Sequence, residues 1–247
     1  MAPLLELVHV KKRFGQVTIA EDVSFAVEPG AAVGIVGPNG AGKTTLFGVV
    51  SGDVRPDAGD VLLDGRVVSR LDPAARCRLG IGRTYQVPRP FDKMTVFENV
   101  LLAAQQGARA RGPESYAHAL AALDSTGLAP DANRLAGSLG LLARKRLELA
   151  RALATQPRLL LLDEVAGGLT DLEVGELVSV VREANERGVA VIWIEHVVRA
   201  LLATVDRLLC LAGGEVIGDG DPREVLASPR VREVYLGTDA AVGESVT

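Results

Sequence analysis

The stretch Gly37-Pro38-Asn39-Gly40-Ala41-Gly42-Lys43-Thr44-Thr45 constrains this chain more than any other, because G-x-x-x-x-G-K-[ST] is a loop that wraps a nucleotide's phosphates. The apolar run Ala32-Val33-Gly34-Ile35-Val36 precedes it and Leu46-Phe47-Gly48-Val49-Val50 follows, so the order is strand, glycine loop, helix. Glycines let backbone N–H groups turn toward a polyanion, and the helix adds the positive end of its dipole. Lys43 is suited to neutralise β- and γ-phosphates and the Thr44 hydroxyl to take one Mg²⁺ position. With 27 glycines in 247 residues, the four fixed positions arise by chance in about one or two such chains per hundred. The flanking strand and helix make an ordinary Gly-rich turn the poorer reading.

Two later strands end in residues that such a loop needs. Pro157-Arg158-Leu159-Leu160-Leu161-Leu162-Asp163-Glu164 is an unbroken apolar strand, buried on both faces, that ends in adjacent carboxylates. Asp163 is placed to act on Mg²⁺ through its water shell, and Glu164 to orient and deprotonate a hydrolytic water. The plainer alternative is an acidic N-cap for a helix over 172–187. Val189-Ala190-Val191-Ile192-Trp193-Ile194-Glu195-His196 is a second buried strand, and it delivers a histidine suited to donate to a γ-phosphate. His9 and His118 have no metal-ligand spacing.

The rest of the chain reads around these points. Residues 4–10 and 17–28 alternate apolar and polar positions, as antiparallel strands do, and Phe14 lies between them. An aromatic there fits adenine stacking and core packing equally well. Residues 59–65 read as a strand ending in an Asp64-Gly65 hairpin, 73–79 as a short helix opening at Pro73, and 80–85 as a buried strand. Gln86 follows that strand; ligands of doubly wound sheets sit beyond such ends, so its amide can approach Mg²⁺ and the attacking water. From Val87 to about Ala136 the character changes. Thr95 with Glu98 forms a capping box opening a helix, a second helix spans 114–126, and the two mark an inserted helical subdomain. Arg70, Arg76, Arg78, Arg83, Arg89 and Lys93 make its approach basic, either a solvated face or a docking surface for a partner.

Composition sets the outer limits. At 247 residues and 48% apolar, the chain suits one large α/β domain with an insertion. A formal net charge of −4 argues against a general nucleic-acid binder. Cys77 and Cys210 form no C-x-x-C pair and read as unpaired thiols of a reducing compartment. The segment Met1–Glu6 has no basic region followed by an apolar core, and no run approaches the roughly 18 apolar residues of a membrane span. A cytoplasmic protein is expected, with any membrane role exercised through partners.

In its order of parts the chain resembles the nucleotide-binding subunits of ATP-binding-cassette transporters, over nearly its whole length. The resemblance rests on Phe14 as adenine-stacking aromatic, 37–45 as Walker A, Gln86 as Q-loop, Asp163 and Glu164 as Walker B and catalytic carboxylate, and His196 as switch histidine. It implies ATP and Mg²⁺ as cofactors and a P-loop NTPase core with a mostly parallel sheet. It also implies an N-terminal antiparallel β-subdomain and an inserted α-helical subdomain of about 88–153, the core being 1–87 and 154–247. The tail Ala227–Gly237, Arg83–Gln86 and Lys145–Leu153 look like the ATPases of bacterial branched-chain amino-acid importers. Implied partners are integral membrane permease subunits, a second ATPase subunit and, indirectly, an extracytoplasmic solute-binding protein, with the chain peripheral on the inner face of the membrane.

Two departures bear on the dimer of such subunits. Where the family carries a Leu-Ser-Gly-Gly-Gln-like signature that reaches the partner's γ-phosphate, this chain has Leu139-Gly140-Leu141-Leu142-Ala143. Gly140 lacks the serine hydroxyl, Leu142 replaces a glycine and Ala143 a glutamine; backbone N–H groups at Gly140 remain able to contact phosphate. Thr170 stands where the family commonly has Asp. A transport ATPase is therefore expected, against two rivals. One is a soluble cassette ATPase acting on nucleic acid or ribosomes; the other is a nucleotide sensor with little hydrolysis.

Overall fold

The computed structural model describes residues 2–234. The chain opens with a long antiparallel hairpin, β1 (Leu5–Phe14) and β2 (Val17–Val27), then enters β3 (Ala32–Val36), the phosphate loop and α1 (Lys43–Ser51). β4 (Ala58–Leu63) and β5 (Arg66–Val67) follow, joined by Asp64 and Gly65 with φ of 50° and 70°, the left-handed pair that a tight Asp-Gly hairpin requires. Next come α2 (Pro73–Arg78), β6 (Ile81–Arg83) and the helices α3 (Val96–Gln106), α4 (Pro113–Ser125) and α5 (Leu141–Ala154). The chain returns through β7 (Leu159–Asp163), α6 (Asp171–Glu186), β8 (Ala190–Ile194), α7 (Val198–Leu202), β9 (Arg207–Ala212), β10 (Glu215–Gly220) and α8 (Pro222–Ala227).

Two sheets result. One is antiparallel, in the order β2-β1-β4-β5; the other runs β10-β9-β3-β8-β7-β6, parallel except where β10 pairs with β9. β3, β7 and β8 are buried at every residue, because helices cover one face of the second sheet and the first sheet with α1 covers the other. The two-residue period of a strand sorts their side chains: Leu159, Leu161, Ile192 and Ile194 pack with Phe47 and Leu7, while Leu160, Leu162, Val191 and Trp193 pack with Leu177 and Val181 of α6. A third apolar cluster joins α3, α4 and α5 through Val96, Val100, Ala119, Leu123, Leu147 and Ala150.

Local signals explain most boundaries. The Thr95 hydroxyl accepts the Glu98 amide while Glu98 returns a bond to the Thr95 amide, the reciprocal box that fixes the start of α3. The expected strand over 80–85 is shorter, Ile81–Arg83, because β6 is an edge strand; Thr84 still donates its amide to Leu161 at 2.9 Å, but Tyr85 has left the sheet and is exposed. Arg76 does not belong to a basic surface. It is buried and donates to the carbonyls of Val49, Val50 and Leu71, satisfying the end of α1. The last part of the importer-like tail, 235–237, lies outside the described residues.

Candidate nucleotide site

The second sheet brings its functional ends together: β3 delivers the glycine loop, β7 Asp163 and Glu164, β8 His196, and the segment after β6 Gln86. At Gly37 a Cβ would lie 2.1 Å from the Leu211 carbonyl oxygen, so no side chain fits. At Gly42 φ is 91° and a Cβ would lie 2.7 Å from the Ile19 carbonyl oxygen, so backbone and space both demand glycine. The loop amides of Gly40, Gly42, Lys43, Thr44 and Thr45 donate to no group among the described residues, as expected of the unpaired first amides of a helix. They border a hollow of about 220 Å³ lined by Ile19, residues 39–45 and Glu164. Lys43 is buried and donates to the Gly37 and Pro38 carbonyls at 2.7 and 3.0 Å. Burial pushes its ammonium below the usual lysine value, opposed by Glu164 and Asp163.

Asp163 is 1% exposed. Its Oδ1 accepts a long bond from the Thr44 hydroxyl at 3.4 Å and its Oδ2 one from Arg83 at 3.3 Å. Burial pushes its carboxyl above the usual carboxylate value, and the Arg83 cation pulls it back. Glu164 has φ of 48°, a left-handed conformation uncommon for a non-glycine residue and the kind of backbone outlier that clusters at functional sites. Its Oε2 accepts from Gln86 Nε2 at 2.6 Å, and His196 Nε2 lies 2.8 Å from its Oε1. An ionised carboxylate only accepts, so Nε2 carries the proton in that contact. The N-cap reading of the two acids fails, because Thr170 caps α6 in a capping box with Glu173. That is also the place taken by Thr170, the residue where aspartate was expected.

Two expected members stand apart. Phe14 ends β1 with half its surface exposed, Lys12 Nζ 4.9 Å above its ring, so the core-packing alternative falls. Gly140 is the N-cap of α5, makes no side-chain cap, and a Cβ there would meet nothing within 4 Å. Three supporting residues were not foreseen. Arg83 is an internal ion-pair partner of Asp163 and Asp53 rather than a solvated surface charge. Glu195 is buried and accepts from the amides of Ala166, His196 and Val197, tying the turn after β7 to the turn after β8. Lys145 of α5, also buried, donates to the Glu164 carbonyl at 3.3 Å. The visible signal for Glu195 was a charge directly after five apolar residues; nothing in the local sequence marks Lys145. A larger cleft, about 410 Å³ and bordered by Pro29, Pro157 and Gly188, lies at the opposite strand ends and holds none of these groups.

The sequence pattern of the ABC transporter family matches residues 20–167, more than half of the chain. The chain belongs to the ABC transporter family. Within it the chain is an ATP-binding subunit and an ATPase. A second pattern of this family, that of branched-chain amino acid ATP-binding cassette transporters, matches residues 215–241. Among ABC relatives, the lipopolysaccharide export system ATP-binding protein LptB of Acidithiobacillus ferridurans is 36% identical over 245 residues, covering 96% of this chain and 98% of that protein. The high-affinity branched-chain amino acid transport ATP-binding protein BraF of Pseudomonas aeruginosa is 34% identical over 250 residues, covering 95% and 98%. A solved ATP-binding cassette of an ABC transporter superposes with a TM-score of 0.87 at 29% identity, covering 95% of this chain and 99% of that one. A dimeric cassette in a post-hydrolysis state, bound to ADP and Pi, gives 0.80 at 26% identity over 89% and 99%.

Proposed function

We propose that this chain hydrolyses Mg-ATP to drive import of branched-chain or other hydrophobic amino acids, or related amides, through integral membrane permease subunits. The observation that carries the hydrolytic part is Glu164, its carboxylate held on one side by Gln86 and on the other by His196 at the rim of the phosphate hollow. The free amides of the glycine loop bind the phosphate chain, and Lys43 exchanges its two carbonyl acceptors for β- and γ-phosphate oxygens. Among the described residues no group of three or more His, Cys, Asp or Glu could hold a metal by itself. Thr44 Oγ1 and Asp163 Oδ1 instead face each other at 3.4 Å, which suits Mg²⁺, an ion that keeps waters and takes substrate phosphates as ligands. Bound there, Mg²⁺ would neutralise charge on the transferring phosphoryl group. Glu164 takes the proton of the attacking water, Gln86 holds that water by its amide, and His196 Nε2 turns from Glu164 to the γ-phosphate. General-base help of this kind contributes about 10²–10⁴ in rate.

The chain works as one of two ATPase subunits, with Phe14 against adenine and the start of α5 at Gly140 facing the partner's nucleotide. No helix of the described residues is long and apolar enough to cross a membrane. In this reading the chain attaches peripherally, on the inner face, through the permease. We place the permease contact on the surface around Gln86 and α3, where the Phe97 ring lies 5.7 Å from that of Tyr116. Import is favoured by the match at 215–241 and by BraF; a solute-binding protein outside the membrane then supplies the solute. Export is the second reading, favoured by LptB at a similar identity. Affinity purification from membranes followed by reconstitution into vesicles separates them. ATP-driven accumulation of labelled leucine that is lost in Glu164→Gln supports import. Hydrolysis without accumulation, with a lipopolysaccharide-exporting partner in the complex, overturns it.

A further inference from the structure

Arg83 has no place in the roles above, yet it is built into the site from several sides. One terminal nitrogen donates to Asp163 Oδ2 at 3.3 Å; the other donates to Asp53 Oδ2 and to Ser51 Oγ, each at 2.9 Å. Ser51 is the last residue of α1 and Lys43 the first, so this one side chain joins the far end of the phosphate-loop helix to the carboxylate ending β7. Its guanidinium carbon lies 4.9 Å from the Tyr85 ring centre and 6.0 Å from that of Phe47, which fixes the plane of the fork. The side chain is only 10% exposed and that of Asp163 1%, so solvent does little to weaken the pair. A carboxylate this buried needs a paired cation and a fixed geometry. Thr44 supplies neither, since it reaches Oδ1 alone through a long bond.

We propose that Arg83 is a positioning residue for the Mg-nucleotide site: it fixes Oδ2 of Asp163 so that Oδ1 stays turned toward Thr44, and Asp53 with Ser51 fixes Arg83 in turn. The inference rests on the reading of Asp163 as the carboxylate that serves the metal. Arginine is required because a planar fork bridges two acids with separate nitrogens, which a lysine ammonium cannot do across the same span. Arg83 does not line the phosphate hollow, so its effect passes through Asp163 and not through the loop amides.

The test is nucleotide binding by the full chain, measured with ATP in Mg²⁺ and again in EDTA, together with thermal melts. The quantity read is the tightening that Mg²⁺ produces. In Arg83→Met that tightening should shrink by about tenfold, while affinity in EDTA stays within about twofold of wild type. Asp53→Asn, which leaves Arg83 beside Asp163 and on Ser51 but removes the charge of its second acid, should shrink it by about threefold. Arg83→Lys should fall between the two, and it carries the test if Arg83→Met does not fold. A folded Arg83→Met or Arg83→Lys with the full Mg²⁺ effect overturns the proposal. Equal loss in Mg²⁺ and EDTA overturns it as well, since that is what a merely structural role would give. Asp163→Asn keeps the two levels apart: if it retains the Mg²⁺ effect, the assignment of Asp163 itself is wrong.

Discussion

The phosphate loop with its strand-end acids and the start of α5 are built in opposite ways. At the first, Asp163 and Glu164 together receive bonds from four different side chains, Thr44, Arg83, Gln86 and His196, and two glycines are sterically obligatory. At the second, Gly140 opens the helix without a side-chain cap and with empty space where a Cβ would point, and Leu141, 47% exposed, leans on the turn at Gly168. One region is over-determined and the other is held by backbone and apolar contact. In the proposed function, the site for the chain's own nucleotide therefore has side chains for every role, while residues 139–143, proposed to reach a partner's nucleotide, offer amides and no hydroxyl. Lys145, on α5, makes a side-chain bond from that helix to the Glu164 backbone.

The largest effect should come from the equipped region. Lys43→Ala removes the buried ammonium that stands over the loop, and ATP affinity measured by calorimetry should fall by at least about a hundredfold. The contrast between the regions sharpens in a heterodimer with a partner of complete signature. The site containing Lys43, Asp163 and Glu164 of this chain should be faster than the opposite one by about tenfold, the worth of one charge-assisted bond made in the transition state. Inactivating each site in turn measures this, and equal residual rates would remove the asymmetry. Gly140→Ser should speed the slow site toward the other, because it restores the hydroxyl at a position where a Cβ meets no atom within 4 Å. Its thermal midpoint should shift by no more than about 1 °C, glycine being nearly as good an N-cap as serine.

A further effect, on stability alone, concerns the cap of α6. Thr170→Ala removes the cap of that helix and should lower the thermal midpoint by about 2–4 °C at neutral pH. Bonds from the Thr170 amide and hydroxyl hold the Glu173 carboxyl below its ordinary value of 4.5. The unfolded chain therefore binds the proton at higher pH than the folded one. This part of the stability is complete above that value and is lost as the pH falls through the folded value. Thr170→Ala removes the hydroxyl bond and keeps the amide bond, so melts of wild type and variant taken from neutral to acid pH should draw closer by the smaller, hydroxyl share of the linkage, and parallel curves would exclude that share.

Legibility in the sequence follows the same division. β3, β7 and β8 announce themselves as short apolar runs because parallel strands covered on both faces need no alternation, and the residues ending them are therefore conspicuous. The box at Thr95 belongs to the same class, since both partners lie within one turn of the chain; the box at Thr170 is as local but is not part of the sequence reading, which offers the acids after β7 as the cap of that helix. What was not legible depends on distant pairs. Arg76 and Arg83 resemble a surface charge run until α1 and the turn after it, folded against them, supply carbonyls to one and Asp53 to the other. Lys145 meets Glu164 only after α5 packs beside β7, and β6 ends early because it is an edge strand with one neighbour. The position of Phe14 was ambiguous for a related reason: exposure at a hairpin end is set by tertiary structure and not by residue type.

The most direct test of the site is Glu164→Gln, because it keeps the shape of the side chain and removes the ability to take a proton. Purified wild type and variant are compared in Mg-ATP by gel filtration and by steady-state phosphate release. The expected result is a variant that retains ATP, elutes as a closed dimer, and hydrolyses at least about a hundredfold more slowly than wild type. A variant that stays monomeric and turns over ATP at the wild-type rate would contradict the role assigned to the Gln86–Glu164–His196 constellation.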